Sequence, residues 1–461
     1  MKRINNTFLS GPILPALLKF SFPILLAMIL QALYGAVDLW AVGKFATTAD
    51  ISAVATGSQT MQIITGIITG LSMGTTVLLG LQIGQNDTEG AADTVGASIK
   101  VFGFLGIALS IIMVFAATPI AHIMNAPEEA FIQTVHYIQI CGGSSLCIVA
   151  YNLLSAIFRG MGDSRLPLIF VSIACVVNII GDITLIDLCK MGAAGAAIAT
   201  VAAQAVSVVL SLVLIRKKGF IFPFSKKHLS SHSQTAPRII RLGAPIALQD
   251  MCNEVSYLII IGLVNALGVN ASAGVGIAEK LVIFILLIPM SYMQSISAFV
   301  AQNIGAGQYK RAKKAMWTGM GSAILLGGIM SYVSYFHGDL LSMIFIKDAT
   351  TADAATVIAD SAEFLRATSI ECFILSVAYC LTGYFNGMGK TTFVMVQGLC
   401  AIFLIKIPYA WIASTQENPH LFQIGLSTAF SALFTLAVCF AYYFYQSRKD
   451  KPAAKGKLRL P

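Results

Sequence analysis

The chain has 461 residues, of which 57% are hydrophobic and only 11% charged, and its mean hydropathy is +0.79. A soluble domain carries about 25% charged residues, so the composition excludes an ordinary soluble protein. The net charge of +9 would suit a nucleic-acid-binding protein, but the positions of the basic residues argue against that class.

Twelve runs of the sequence are apolar enough to span a bilayer, which takes about 20 residues of helix. They lie near residues 14–42, 50–82, 94–119, 131–157, 165–187, 192–215, 243–267, 274–303, 314–337, 360–386, 391–414 and 420–446. The sequence therefore predicts an all-α polytopic membrane protein with twelve transmembrane helices.

The basic residues are concentrated on one side of the predicted membrane. If the amino terminus is cytoplasmic, the clusters from Lys2-Arg3 to the carboxy-terminal tail all fall in cytoplasmic segments, whereas the opposite loops hold Lys44, Lys190 and Lys347. This distribution follows the positive-inside rule. It predicts that both termini are cytoplasmic in a bacterial-type plasma membrane, and it assigns the basic tail to topology and lipid contact rather than to nucleic acid.

The first two spans carry features of helix geometry and packing. Pro23 lies inside the first span, where it removes a backbone hydrogen bond and predicts a bend. Asp38 follows fifteen residues later, roughly 22 Å along the helix and near its outer end. In the second span, Gly66, Gly70 and Gly74 have the spacing that lets neighbouring helices approach closely.

The fifth span contains a polar pair in the segment VVNIIGDITL. Asn178 and Asp182 are four residues apart and therefore share one helix face. A central Asp in a span costs roughly 2.5–3.5 kcal/mol, so the pair is expected to face the bundle interior. It either binds an ion or makes structural hydrogen bonds around a buried water.

The sixth span brings a fourth oxygen-bearing side chain to a similar depth. Thr200 lies about 12 Å from the outer end of this Gly-Ala-rich helix, and Asp38 and Asp182 lie near the outer ends of their own spans. Two carboxylates, an amide and a hydroxyl form a set of hard oxygens suited to Na⁺. A proton can compete for the same place, because one proton can be held between two neighbouring carboxylates.

The sequence repeats itself after about 220–227 residues. FPILL at 22–26 is similar to APIAL at 244–248, and FRGMGDSRLP at 158–167 to FNGMGKTTF at 385–393. Two six-helix lobes related by a pseudo-two-fold axis along the membrane normal follow from such a repeat. The predicted domains are the amino-terminal lobe 1–217, a cytoplasmic linker 218–241, the carboxy-terminal lobe 242–447 and a basic cytoplasmic tail 448–461.

The polar set is not repeated in the second lobe. Positions 227 residues after Asn178 and Asp182 hold Ile405 and Tyr409. A purely structural requirement would be expected in both lobes, so this asymmetry favours a function for the set in the first lobe.

The second lobe has charged residues of its own. Glu254 in span seven and Glu371 in span ten are both expected near mid-membrane, and Lys406 in span eleven is the expected salt-bridge partner. Two interpretations are open. The acids form a structural pair with the lysine, or they attract a cationic substrate or act in secondary coupling.

From Pro23 to span twelve, the chain resembles the multidrug and toxic compound extrusion (MATE) family of cation-coupled exporters. The resemblance rests on the tandem repeat and on motifs in the same order: ALYGAVDLWAVG, IGQN, FRGMGDSRLP, VVNIIGD and GAAGAAIATVAAQ. It implies two V-shaped lobes that open alternately to either side. It also implies a bend at Pro23.

The resemblance also implies positions for the coupling ion. One branch of the family binds it in the amino-terminal lobe, at positions matching Asp38, Asn178, Asp182 and Thr200. Another branch places coupling acids in spans seven and ten, and Glu254 and Glu371 are similar in position. This second match is looser, because that branch commonly has Asp in span ten.

The sequence thus predicts an antiporter that exports organic, cationic and amphipathic molecules in exchange for Na⁺ or H⁺. Beyond that ion no cofactor is expected, since the nine cysteines show no metal-binding spacing, and the protein is expected to act as a monomer. The alternatives are a lipid-linked precursor flippase of the same superfamily, a membrane enzyme and a channel. An enzyme is disfavoured because the chain lacks HExxH and a phosphate-binding glycine loop.

Overall fold

The computed structural model describes residues 8–230, 234–344 and 352–449. The basic residues Lys2 and Arg3, Lys347 and all but the start of the predicted tail 448–461 lie outside these ranges. Within them, the chain forms helices and connecting turns and no β-strand. The helices are α1 (Ile13–Phe45), α2 (Thr48–Gly84), α3 (Thr88–Ile123), α4 (Phe131–Gly143), α5 (Ser145–Gly160), α6 (Arg165–Asp182), α7 (Gly192–Lys218), α8 (Lys226–Ser230), α9 (Thr235–Asn265), α10 (Val269–Gly305), α11 (Tyr309–Phe336), α12 (Gly338–Met343), α13 (Ala352–Gly387), α14 (Thr391–Cys400), α15 (Ile407–Ser414) and α16 (Leu421–Lys449).

The predicted all-helical membrane fold is confirmed. In the described part of the chain, eleven helical segments are long and apolar enough to cross a membrane, and a bent pair of helices raises the number to twelve. Their outer faces carry large apolar side chains, such as Phe104 and Phe115 on α3, which are 77% and 81% exposed. Such apolar faces can lie in lipid. The helical backbone can lie there too, because its polar groups are hydrogen-bonded within the helix.

The predicted span near 131–157 is this bent pair. The segments Glu128–Gly143 and Ser145–Gly160 meet at an angle of 47° around Ser144. The break falls in the sequence Gly142-Gly143-Ser144-Ser145, and neighbouring glycine and serine residues are a common cause of helix kinks. The Ser145 hydroxyl donates to the Gly142 carbonyl at 2.6 Å, which stabilises the tight turn between α4 and α5.

Two spans contain a π-helical stretch. Residues Ile183–Leu188 continue α6, and Ala401–Lys406 join α14 to α15. In a π-helix the hydrogen bonds span one residue more than in an α-helix, and such turns are frequent at functional sites. Here one follows Asp182 directly and the other ends at Lys406.

The contacts divide the chain into two compact units. The first consists mainly of residues 19–247 and the second mainly of 248–304 and 308–449. In the first unit, α2 packs against α3, α4, α5 and α7, and α6 packs against α7. In the second, α13 packs against α11, α12, α14 and α16. The limits of the lobes and linker given by the sequence stay predictions.

One of the glycines singled out in the second span makes a close backbone contact. A Cβ atom at Gly74 would lie 2.5 Å from the Ile239 carbonyl oxygen and 2.7 Å from the Gly243 nitrogen, whereas a Cβ at Gly66 would meet nothing within 4 Å. The glycine spacing therefore includes one position where a side chain is excluded and one where it is tolerated.

We expect Gly74→Ala to lower the thermal unfolding midpoint by several degrees, because overpacking at a backbone contact destabilises a protein by about 1–3 kcal/mol. Gly66→Ala is the matched control on the same helix. It should leave the midpoint unchanged or slightly higher, since alanine favours a helix by about 1 kcal/mol over glycine. Equal midpoints for the two variants in detergent would contradict this packing.

Candidate functional site

The four side chains predicted to form an ion site in the amino-terminal half come together in the first unit. Thr200 Oγ1 on α7 donates to Asp38 Oδ2 on α1 at 2.9 Å. Asn178 Nδ2 on α6 donates to Thr200 Oγ1 at 3.4 Å. The Asp182 carboxyl, at the end of α6, lies within hydrogen-bonding reach of the Asp38 carboxyl.

The site is buried and has more acceptors than donors. Asp38 is 4% exposed, and Asn178 and Asp182 are completely buried. Among the described residues, none donates a hydrogen bond to Asp38 Oδ1, Asn178 Oδ1 or either oxygen of Asp182. Two ionised carboxylates have only acceptor atoms, so their contact requires a proton or a cation between them. The unpaired oxygens fit either one.

The type of ligand follows from the donor atoms. Carboxylate, amide and hydroxyl oxygens are hard ligands, which suit alkali and alkaline-earth ions better than zinc or copper. Over the described ranges, no group of three or more His, Cys, Asp or Glu side chains is placed to hold a metal ion. The set therefore fits a hard cation or a proton.

The packing of α6 against α7 explains why these residues meet. A Cβ atom at Gly181 would lie 2.9 Å from the Ala199 Cβ atom, so glycine at this position lets the two helices approach beside Thr200. Asn178 and Asp182 then occupy one face of α6, and the π-helical stretch begins at the next residue, Ile183.

The start of α7 is fixed by an acidic residue that is not among the predicted site residues. Asp50 Oδ1 accepts a hydrogen bond from the Ala193 backbone nitrogen at 2.9 Å. A carboxylate at a helix amino terminus satisfies a free N–H group and interacts favourably with the helix dipole. Asp50 also forms a capping box with Thr47 at the start of α2, so it links two helix ends on the α7 side of the site.

A small cavity lies beside Thr200 in the first unit, with room for about one water molecule. Its lining residues are Gln31, Tyr34, Tyr151, Val171, Ala174, Thr200, Ala203, Gln204 and Ser207. Across it, Gln31 Nε2 donates to the Tyr151 hydroxyl at 3.1 Å. A sequence signal was available for two of these residues, because Gln31 precedes Asp38 by two helical turns and Gln204 follows Thr200 by one.

Pro23 lies within α1, and this helix continues through it to Phe45. Proline has no backbone N–H group, so the carbonyl one turn earlier lacks its helical partner. That is a local weakness in the helix that carries Asp38. The bend at Pro23 stays a prediction.

The acids of the second half form a separate cluster in the second unit. Glu371 on α13 is 5% exposed, and its Oε1 atom accepts a hydrogen bond from the Tyr257 hydroxyl at 3.3 Å. Glu254 lies on α9, as does Tyr257. Thus neither acid belongs to the site formed by Asp38, Asn178, Asp182 and Thr200.

The expected direct ion pair between Lys406 and these acids is wrong. Lys406 Nζ donates to Asn253 Oδ1 at 3.2 Å and lies 3.4 Å from the centroid of the Tyr257 ring. Among the described ion pairs, none joins Lys406 to Glu254 or Glu371. The contacts of the ammonium group are thus an amide oxygen and the face of an aromatic ring. Such a ring face attracts a cation electrostatically.

Comparisons with known proteins agree with the two-unit organisation. A family model described as MatE matches residues 23–184 and 245–412. The "Probable multidrug resistance protein YpnP" of Bacillus subtilis (strain 168) is 27% identical over 438 residues, which cover 95% of this chain and 96% of that protein. The "Multidrug export protein MepA" of Staphylococcus saprophyticus is 22% identical over 401 residues, 86% of this chain and 87% of that one.

A solved structure shares the fold. It is described as the outward-facing conformation of a multidrug resistance MATE family transporter of the MOP superfamily. It superposes with a TM-score of 0.89 at 19% identity, over 98% of this chain and 99% of that chain. The likeness concerns the architecture alone.

We expect Asp38→Asn to raise the thermal unfolding midpoint by about 2 °C in sodium-free alkaline buffer. The substituted amide can donate a hydrogen bond to Asp182 and removes the repulsion between two buried carboxylates. The gain should shrink in acidic buffer, where the wild-type pair holds a proton. Glu128→Gln, at an exposed position, is the control, and a lower midpoint for Asp38→Asn under alkaline conditions would contradict the proximity of the two acids.

Proposed function

The chain belongs to the MATE family of multidrug efflux transporters, and we propose that it is a secondary active antiporter that exports organic cations in exchange for Na⁺ or H⁺. It is a multi-pass integral membrane protein of a bacterial membrane. The prediction of a transporter rather than an enzyme is confirmed by the family. The coupling ion, the substrate class and the orientation of the termini are parts of the proposal.

The buried carboxylate pair is the observation that carries the proposal. Asp38 and Asp182 lie close together in a lipid-embedded unit and have three unpaired oxygens between them. A buried polar group costs about 1–3 kcal/mol when it is left unsatisfied. Binding one monovalent cation or one proton would remove most of this cost. The site is therefore suited to hold an ion reversibly, which a coupling site must do.

Na⁺ and H⁺ are competing ligands in this scheme. Either one would neutralise one of the two negative charges, and the Asn178 carbonyl oxygen and the Thr200 hydroxyl could complete the shell around Na⁺. A proton would instead be held between Asp38 and Asp182, with Thr200 donating to Asp38 as it does in the structure. Affinity for Na⁺ should then fall as the pH falls.

Ion binding can drive transport only if one conformation binds the ion better than the other. The four ligands come from α1, α6 and α7, so an ion would hold α1 against the other two helices. Pro23 gives α1 a place to bend fifteen residues before Asp38. Entry of the ion from outside would favour one shape of the lobe and release of substrate, and its release to the cytoplasm would favour the other.

The substrates in this proposal are cationic, amphipathic organic molecules. Two relatives are named as multidrug proteins, and methionine and aromatic side chains, which suit adaptable apolar contacts, are abundant in the spans. Membrane lipids contact the exposed apolar faces, the protein acts as a monomer, and both termini are cytoplasmic according to the distribution of basic residues.

The flippase alternative receives less support. A lipid-linked pyrophosphate would need a strongly basic site. The buried polar site of the first unit has two carboxylates instead, and the second has two glutamates beside one lysine.

The experiment uses purified protein in liposomes loaded with a fluorescent organic cation. We expect efflux to depend on an inward Na⁺ gradient at equal pH or on a pH gradient without Na⁺, and Asp38→Asn to lower it about tenfold or more, equivalent to at least 1.4 kcal/mol. Asp187→Asn, which removes a partly exposed partner of Lys190 in the same unit, should transport normally. Gradient-driven efflux that persists in Asp38→Asn would show that the coupling ion binds elsewhere.

A further inference from the structure

We propose that Lys406 is the resident cation of a second, aromatic and acidic site in the second unit, and that its ammonium group keeps mobile cations out of that site. Removing the lysine side chain would leave a site for a small monovalent ammonium ion. The inference concerns binding in the second unit and does not depend on the proposed transport activity.

The contacts of Lys406 are those of a bound ammonium ion. The side chain is 2% exposed. Its Nζ atom donates to Asn253 Oδ1 at 3.2 Å and lies 3.4 Å from the Tyr257 ring centroid. An amide oxygen together with an aromatic face is a typical environment for ammonium ligands in proteins.

Two acids give the site its negative charge. Both Glu254 and Glu371 are close enough to attract Lys406 electrostatically. Glu371 accepts a hydrogen bond from the Tyr257 hydroxyl through Oε1, and its buried Oε2 atom has no hydrogen-bond partner among the described residues. When both acids are ionised, one ammonium group leaves the site with a net negative charge.

Tyr257 connects the cation to the acid. Its ring face lies under Lys406 and its hydroxyl donates to Glu371. The cluster therefore joins α9, which carries Asn253 and Tyr257, to α13 and to the π-helical stretch that ends at Lys406. A cation at this point is thus surrounded by residues of two other elements of the unit, α9 and α13, as a ligand would be.

The internal repeat shows what differs between the two halves. The position 227 residues before Lys406 is Ile179, next to Asn178 of the first unit. At nearly the same level of corresponding spans, one unit thus has an amide beside a carboxylate pair and the other has an ammonium group beside two glutamates. The first site needs a cation from outside, whereas the second carries one on its own chain.

This assignment gives Glu254 and Glu371 a defined role. They attract Lys406 rather than a mobile ion; if the proposed function holds, the coupling ion is then bound in the first unit only. We expect Glu371→Gln to leave the Na⁺ affinity of the wild-type first-unit site unchanged within about twofold, because the two sites have separate ligands.

The test measures binding of radiolabelled methylammonium and of ²²Na⁺ to purified protein, with Asp38→Asn as the background to remove the first-unit site. Asp38→Asn alone should bind neither ion. Adding Lys406→Ala should create methylammonium binding that the Asp38→Asn background lacks, and adding Glu371→Gln to that double variant should abolish this binding. Binding of ²²Na⁺ in place of methylammonium would overturn the ammonium assignment.

Two controls keep the result interpretable. Lys280→Ala removes an exposed lysine of the same unit and should create no binding. If the Lys406→Ala protein fails to fold, the unbranched Lys406→Met variant is used, and the readout is the rise of its thermal midpoint on addition of methylammonium. The proposal would be overturned by a folded Lys406 variant that neither binds methylammonium nor is stabilised by it. It would also be overturned if the gain were equally large when Glu371→Gln is added to that variant.

The first-unit site is tested separately by comparing ²²Na⁺ binding to the wild type with ²²Na⁺ binding to Asp38→Asn, which should be lost.

Discussion

The proximity of two buried carboxylates, Asp38 and Asp182, is the constraint around which the polar interior of the first unit is arranged. Neither group can donate to the other when both are ionised, and the described residues leave most of their oxygens unpaired. Much of the first unit positions this contact: Thr200 donates to Asp38, Gly181 lets α7 approach α6, and Asp50 fixes the start of α7. The protein thus maintains an arrangement that is unfavourable until a proton or a cation arrives.

The two halves of the repeat differ in where the positive charge that compensates their acidic residues comes from. In the first unit the compensating charge must come from outside, which makes the site usable for coupling. In the second, Lys406 contacts Asn253 and the Tyr257 ring beside two glutamates, so the compensation is permanent. On the proposed function, one exchangeable cation in the first unit would be enough to drive the conformational change.

The sequence predicted the fold and the Asp38 set because both depend on regular geometry. Apolar runs of about 20 residues defined the spans, and the spacing of four residues placed Asn178 and Asp182 on one face. Depth along each span brought Asp38 and Thr200 to the same level. Other features depend on packing between distant residues. The bend at Ser144 and the amide and ring contacts of Lys406 required the structure, since hydropathy does not distinguish an ion pair from a cation over a ring.

Infrared difference spectroscopy of substrate-free protein, with Na⁺ added at constant pH, shows directly whether the two carboxylates exchange a proton for Na⁺. If Na⁺ and a proton share the Asp38–Asp182 pair, the band of a protonated carboxyl group should disappear on Na⁺ binding, with release of one proton. The same change should be absent in Asp38→Asn. A carboxyl band that does not respond to Na⁺, or that responds equally in the variant, would show that this pair is not the exchange site.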